Sequence, residues 1–159
     1  MAQIIDGKAV SRAVRARVAQ ETLALKEQGV TPGLAVILVG EDPASQVYVR
    51  NKEKACAEVG FYSEKYTLPA DITQAQLNAL VDELNAKKEI NGILCQLPLP
   101  PHLSDKEVIA RIDPAKDVDA FHPENVGAIM IGDYRFLPCT PAGVMELIHS
   151  TGTDLTGKR

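Results

Sequence analysis

The sequence predicts an α/β fold, a three-layer sandwich in which helices flank a mostly parallel sheet. Short apolar segments alternate with longer amphipathic ones, as expected when strands and helices alternate along the chain. Two of the apolar segments are continuous, which is typical of strands covered on both faces. The length of 159 residues suits one domain, or one domain with a fragment of another.

The first half of the chain carries clear boundary signals. Residues 3–5 are a short strand candidate, and a valine stripe predicts a helix over 7–28 that Gly29 ends. The apolar run 33–40 is bounded by glycines and predicts a buried strand. Asp42 is a suitable N-cap before Pro43, so a helix is expected to run to about Val59 and to stop at Gly60.

The second half continues the alternation with shorter elements. A strand is predicted over 61–67, a helix over 73–88, and a buried strand over 92–97 that prolines end. A short helix near 105–111 precedes a brief strand or turn at 117–119 and a helical piece from Pro123. A last helix is expected from Thr140, a suitable N-cap, to about residue 150. We expect a domain over 1–150, followed by a polar linker over 151–159.

Composition excludes several classes of protein. Apolar residues make up 45% and charged residues 24%, which is ordinary for a globular chain. The longest apolar run, 34–39, is too short to span a membrane. The net charge of −4 is dispersed, so neither a nucleic-acid nor a membrane partner is expected. The N-terminal residues lack a secretory pattern, which favours a cytoplasmic location.

Cysteine and histidine spacing gives no sign of a metal site or a disulfide framework. Cys56, Cys95 and Cys139 lie far apart, and we expect isolated, buried thiols. The three histidines show no ligand spacing. The sequence contains no G-x-G, so both the dinucleotide fingerprint and the P-loop are missing.

The helix over 43–59 carries the most informative pattern. Tyr48 and Lys52 are four residues apart on a face that we expect to turn toward the core, together with Ala44, Ser45, Ala55, Cys56 and Val59. One interpretation is that the stem of Lys52 packs on apolar groups while its ammonium reaches water. The other is that Lys52 lines a pocket, where lost hydration favours the neutral amine and allows proton exchange with a substrate. Tyr48 could stack on a planar ligand.

Two later segments add polar groups. Gln96 stands near the carboxyl end of an apolar strand, where parallel sheets bind ligands, or its amide is satisfied by loop backbone. Asp117 and Asp119 flank a valine and could point to opposite sides. An inward carboxylate suits the paired N–H donors of an aminopyrimidine ring, whereas the alternative is a solvated acidic turn. His122 is interpreted as structural.

Taken together, four segments resemble one known family. They are Tyr48-x-x-x-Lys52, the run from Gly92 to Pro100, Lys116 to Asp119, and Pro138-Cys-Thr-Pro141. In this order they resemble the N-terminal, folate-binding part of the bacterial-type bifunctional methylenetetrahydrofolate dehydrogenase/methenyltetrahydrofolate cyclohydrolase family. The likeness runs from Ile4 to the end of the chain.

The resemblance implies an activity and its partners. The family oxidises 5,10-methylenetetrahydrofolate with NADP and hydrolyses the methenyl product to 10-formyltetrahydrofolate. It thereby supplies one-carbon units for purine, histidine and methionine biosynthesis. Tetrahydrofolate derivatives would be the ligands, NADP the cofactor, and a homodimer the assembly; no metal is implied.

The resemblance also implies roles for individual residues. Lys52 would transfer protons, Tyr48 would stack on the folate and help to position the lysine, and Gln96 would contact Lys52 and tune its protonation. Asp119 would anchor the pterin's aminopyrimidine edge. The remaining implied contacts are Ser45, Leu97 and Pro98 with the substrate, and Cys139 and Thr140 with the cofactor.

Two departures from the family pattern limit these expectations. Ala120 stands where the family commonly has glycine, and the sequence ends at Arg159, where the family's Rossmann-like nucleotide domain begins. We therefore expect poor NADP binding, no dehydrogenase activity and at most residual cyclohydrolase activity from these 159 residues. The alternatives are a non-catalytic α/β folate-binding or assembly module, and a family member that binds folate without turnover.

Overall fold

A three-stranded parallel sheet organises the part of the chain that this computed structural model describes, residues 4–158. The strands are β1 (Gly33–Val39), β2 (Tyr62–Leu68) and β3 (Gly92–Cys95), in the order β2-β1-β3. In the register, Gly33 lies opposite Tyr62 on one side of β1, and Leu34 lies opposite Gly92 on the other. A single parallel bridge pairs Ile93 of β3 with Asp117, so the predicted 117–119 segment lies beside β3 at the edge of the sheet.

Helices cover both faces of this sheet, which confirms the predicted α/β sandwich. Helix α2 (Pro43–Val59) places Val49 against Val36 and Leu38 of β1, and α1 (Gly7–Glu27) packs on α2. On the opposite face, α3 (Gln74–Ala86) and α4 (Asp105–Arg111) bury the larger core. Two further helices follow, α5 (Pro123–Ile131) and α6 (Cys139–His149), of which α6 contacts α1.

The caps explain why the helices begin and end where the sequence predicts. The Asp42 carboxylate accepts a hydrogen bond from the Ser45 N–H at 2.7 Å, and Gly60 ends α2 in the left-handed conformation at φ +82°. Thr73 and Gln76 form a reciprocal capping box at the start of α3. These local bonds fix α2, and therefore its functional side chains, directly after the central strand.

Three expectations are corrected. Gln3 lies outside the described residues, and Ile4 and Ile5 form no strand: they join no ladder, and Ile4 is 92% exposed. The last helix begins at Cys139 with Pro138 as its N-cap, because the Pro138 carbonyl already accepts from the Ala142 N–H at 3.1 Å. Thr140 is therefore inside the first turn rather than at the cap.

The cysteines also differ in burial from the expectation. Cys56 and Cys95 are buried as predicted, whereas Cys139 is exposed because it opens α6 at the surface. Within residues 4–158 the three thiols are free. Over the same residues, no helix combines the length and apolar character that crossing a bilayer requires.

Candidate active site

Lys52 and Gln96 meet at the carboxyl end of the sheet. Lys52 lies in the middle of α2, which follows β1, and Gln96 directly follows β3. The Lys52 Nζ donates a hydrogen bond to the Gln96 Oε1 at 2.9 Å. Gln96 Nε2 in turn donates to the Leu97 carbonyl at 2.8 Å, so the amide oxygen is held toward the lysine. Gln96 therefore supplies an oriented acceptor rather than a freely rotating one.

Tyr48 forms the open side of this group. The Lys52 Nζ lies 5.9 Å from the centroid of the Tyr48 ring, within the range of a cation–π contact. The tyrosine is 62% exposed, so its ring is accessible for stacking. This exposure contradicts the expectation that Tyr48 lies on the side of α2 that faces the core.

The buried face of α2 differs in part from the predicted stripe. Ser45, Cys56 and Val59 are buried as expected, and Val49, which the prediction omitted, is buried too. Ala44 and Tyr48 are exposed because they lie at the margin of the buried stripe on the helix. Lys52 is half-buried. Its burial therefore lies between that of an ammonium that reaches water and that of an amine that lines a pocket.

Asp119 completes the polar group from a distant part of the chain. Burial raises the pKa of the Asp119 carboxyl above its usual range, the positive charge of Lys52 lowers that pKa, and the nearby Asp117 raises it. Asp117 is 3% exposed, and Asp119 is half-buried. Neither carboxyl is fully exposed, which contradicts the alternative of a solvated acidic turn.

The remaining predicted contacts differ in exposure. Ser45 lies in the first turn of α2 and is buried, Leu97 is half-buried, and Pro98 and Thr140 are exposed. The Cys139 thiol lies 3.8 Å from the Val118 carbonyl. Although Cys139 is exposed as a residue, partial burial of its sulfur raises the pKa of the thiol; the charge of Asp119 raises that pKa further and the charge of Lys52 lowers it.

A large cavity does not mark the Lys52 group. A cavity of about 650 Å³ lies elsewhere, beside α5, between Asp113, Asn125 and Arg135. The Lys52 group instead lies on an exposed face of the molecule, with the Tyr48 ring on its open side. Among residues 4–158, no group of three or more histidine, cysteine, aspartate or glutamate side chains is placed to hold a metal ion.

Sequence reasoning missed the residues that support Asp119. The Lys116 ammonium donates to the carbonyls of Leu84, Asn85 and Lys87 at 3.1, 2.7 and 2.8 Å, and so caps the C-terminal end of α3. Asn125, in α5, is buried and bonded to Asp117. The sequence pattern showed only that these residues are polar, which reveals neither the partners of Lys116 about 30 residues away nor those of Asn125, 8 and 11 residues away.

Comparisons with known proteins match this arrangement to one family. A family model described as the tetrahydrofolate dehydrogenase/cyclohydrolase catalytic domain matches residues 5–119. The bifunctional protein FolD of Moorella thermoacetica is 57% identical over 158 residues, which are 99% of this chain and 56% of that relative. The chain thus spans a little over half the length of the relatives it matches.

Solved structures give the same result. The bifunctional FolD methylenetetrahydrofolate dehydrogenase/cyclohydrolase of Campylobacter jejuni superimposes with a TM-score of 0.92 at 46% identity, covering 96% of this chain and 55% of that one. The Trypanosoma brucei enzyme, solved with NADP cofactor and an inhibitor, gives a TM-score of 0.93 at 40% identity, with 99% and 55% coverage.

Proposed function

The chain belongs to the tetrahydrofolate dehydrogenase/cyclohydrolase family, and on that premise we propose that its Lys52 site hydrolyses 5,10-methenyltetrahydrofolate to 10-formyltetrahydrofolate. The family membership confirms the resemblance drawn from the sequence motifs. The observation that carries the proposal is the hydrogen bond from Lys52 to the neutral Gln96 amide at 2.9 Å. It fixes the position of a half-buried amine through an uncharged partner.

The partners of Lys52 suit proton transfer. Within residues 4–158 Lys52 forms no salt bridge, although the Asp119 carboxyl lies near enough for the two charges to interact. The amide oxygen of Gln96 holds the Lys52 nitrogen in place without adding a charge. In the proposed reaction, Lys52 exchanges protons with the attacking water and with the substrate.

The reaction follows from these positions. Water adds to the amidinium carbon while its proton passes to the Lys52 amine, which gives a tetrahedral adduct. The Lys52 ammonium then returns a proton to the departing ring nitrogen as the carbon–nitrogen bond breaks, and the hydroxyl group of the adduct releases its proton to solvent as the formyl C=O forms. Tyr48 would stack on the folate, and Asp119 would accept hydrogen bonds from its aminopyrimidine edge.

The dehydrogenase activity and NADP belong to the proposal for the protein as a whole. NADP, when bound, would take up a hydride from the methylene carbon. Cys139 and Thr140 are side chains at the start of α6 and form no cradle, and no described strand leads into a G-x-G-x-x-G turn. The residues present do not fit the dinucleotide, so we derive no hydride step from them.

Other features of the proposal follow the family in the same way. We propose that 1–150 is the folate domain and 151–159 a linker, which is supported by the end of α6 at His149. A homodimer, a cytoplasmic location and a role in purine, histidine and methionine biosynthesis stay predictions.

The test compares Lys52→Met with Lys54→Met, a matched change of an exposed lysine on the same helix. Loss of the proton-transfer group is expected to slow methenyltetrahydrofolate hydrolysis by about 100-fold or more, whereas the control stays near the parent rate. Hydrolysis is followed by the loss of methenyl absorbance, and both variants are checked for unchanged thermal unfolding. Equal rates for the two variants would remove Lys52 from the mechanism.

The binding alternatives give different results in the same experiment. A folate binder without turnover would bind tetrahydrofolate in calorimetry and show no hydrolysis above buffer in the parent protein. A non-catalytic assembly module would show neither binding nor hydrolysis.

A further inference from the structure

We propose that Asp117 and Asn125 are positioning residues that hold Asp119 beside Lys52. The inference rests on the proposed function, since it gives Asp119 its purpose as the folate anchor. Both are among the few buried polar side chains of residues 4–158, and they contact each other. The family resemblance assigns a role to neither residue, although Asp117 was considered together with Asp119 as a candidate inward carboxylate.

Hydrogen bonds connect the residues before Asp119 to the residues after it. Asp117 Oδ2 accepts from the His122 N–H at 2.8 Å and from Asn125 Nδ2 at 2.9 Å. Asn125 Nδ2 also donates to the Pro114 carbonyl at 3.0 Å, so both of its donor hydrogens are used. The pair therefore ties the segment before Asp119 to the helix after it. Hydrogen bonds to a buried carboxylate are strong, so this closure is rigid.

The backbone between the two anchors adopts a conformation that requires such support. Ala120, the residue after Asp119, has φ +56° and is 1% exposed. An L-residue rarely takes this left-handed conformation unless its surroundings determine it. The Ala120 N–H bonds the Asp117 carbonyl at 3.2 Å, which makes a tight turn over 117–120. The direction of the Asp119 side chain depends on this turn.

The other side of the segment is fixed independently. The Ile93 N–H donates to the Lys116 carbonyl at 2.7 Å, and the Lys116 ammonium holds the end of α3. Residue 116 therefore stays in place when the Asp117–Asn125 contact is lost. The expected result of that loss is a displaced Asp119 in a folded protein.

The test is a double-mutant cycle that combines Asn125→Ala with Asp119→Ala. Asn125→Ala alone is expected to raise the KM for 5,10-methenyltetrahydrofolate about fivefold to tenfold and to leave kcat within about twofold, because an anchor acts on ground state and transition state alike. In the Asp119→Ala background the same change is expected to shift KM by less than about twofold. Asp117→Asn, which keeps the side-chain shape, repeats the cycle if Asn125→Ala does not fold.

Asn78→Ala is the matched control. Asn78 is another buried asparagine with side-chain partners, Gln74 and Glu107, but it lies between α3 and α4. It is expected to lower the Tm without raising KM. Equal KM shifts in both backgrounds, or an equal shift from Asn78→Ala, would overturn the positioning role alone. If Asp119→Ala itself leaves KM unchanged, the proposed folate contact fails and the positioning role falls with it.

Discussion

Lys52 shows how far residue-level reasoning reaches in this protein. The contact with Tyr48 follows from a four-residue spacing on a helix. The contact with Gln96 joins positions 44 residues apart, and the residues alone indicated only that Gln96 stands at the carboxyl end of a strand. Periodicity assigns a helix face but not the depth of each side chain, and so Val49 was missed and Tyr48 was placed too deep.

Ala120 gives a residue-scale prediction. At φ +56° and 1% exposed, it has neither a relaxed backbone nor room for a larger side chain. Ala120→Val is expected to lower the free energy of unfolding by about 2–4 kcal/mol, because a β-branched residue is strained here and overfills the site. Ala120→Gly is expected to stay within about 1 kcal/mol, since relief of strain offsets the lost methyl group and the added chain entropy. Urea denaturation measures both, and similar losses would contradict this account.

At the scale of elements, the ends of the helices could be predicted from the sequence, but the order of the strands across the sheet could not. Asp42, Gly60 and Thr73 mark helix ends through bonds to residues within four positions, so the sequence pattern contains them. The strand order β2-β1-β3 depends on how helices pack on both faces, which no local pattern specifies. The Asp117 bridge to Ile93 was predicted as a strand or turn, but its partner was not.

The contact between Gly92 and Val118 shows how closely the 117–119 segment approaches β3. A methyl group at Gly92 would lie 2.5 Å from Val118 Cγ1, so the two residues are complementary in shape. Gly92→Ala is expected to destabilise the fold by about 1–3 kcal/mol through overpacking. Val118→Ala removes the clashing atom, so the double variant is expected to be more stable than the sum of the two single changes predicts.

A second glycine provides the comparison for that prediction. The space beside Gly33 is taken by the Glu89 carbonyl, a backbone group that no side-chain truncation removes. Gly33→Ala is therefore expected to destabilise the fold. No second substitution at Glu89 is expected to restore the lost stability, because the clashing atom belongs to the backbone. Additive effects of Gly92→Ala and Val118→Ala in urea denaturation would show that the two residues do not constrain each other.

At the scale of the whole molecule, charged side chains form contacts between neighbouring elements. Arg15 pairs with Glu58 between α1 and α2, and Arg111 pairs with Asp82 between α4 and α3. Exposed pairs of this kind contribute little stability each. Glu64 differs, because its side chain is only 17% exposed and accepts hydrogen bonds from Lys87, Tyr62 and Tyr66.

This contact predicts how global stability depends on pH. The bonds from Lys87 and the two tyrosines lower the pKa of Glu64 from its ordinary 4.5 to about 2. The unfolded chain therefore binds a proton at higher pH than the folded chain does, so the stabilisation is complete above pH 4.5 and is lost as the pH falls toward 2. The loss is expected to be about 1 kcal/mol, because the contact is partly screened by solvent.

Other carboxyl groups modify this acid response in known directions. Hydrogen bonds also lower the pKa of Asp42 and Asp82, which adds to the loss on acidification, whereas the raised pKa of Asp119 opposes it. Glu64→Gln keeps a polar side chain but cannot titrate, so it isolates the Glu64 contribution. Denaturation midpoints at about pH 6, 4 and 2.5 are expected to fall less steeply in Glu64→Gln than in the parent protein. Parallel slopes would place the acid sensitivity in the other carboxyl groups, and the Glu64 contact would then contribute no measurable stability.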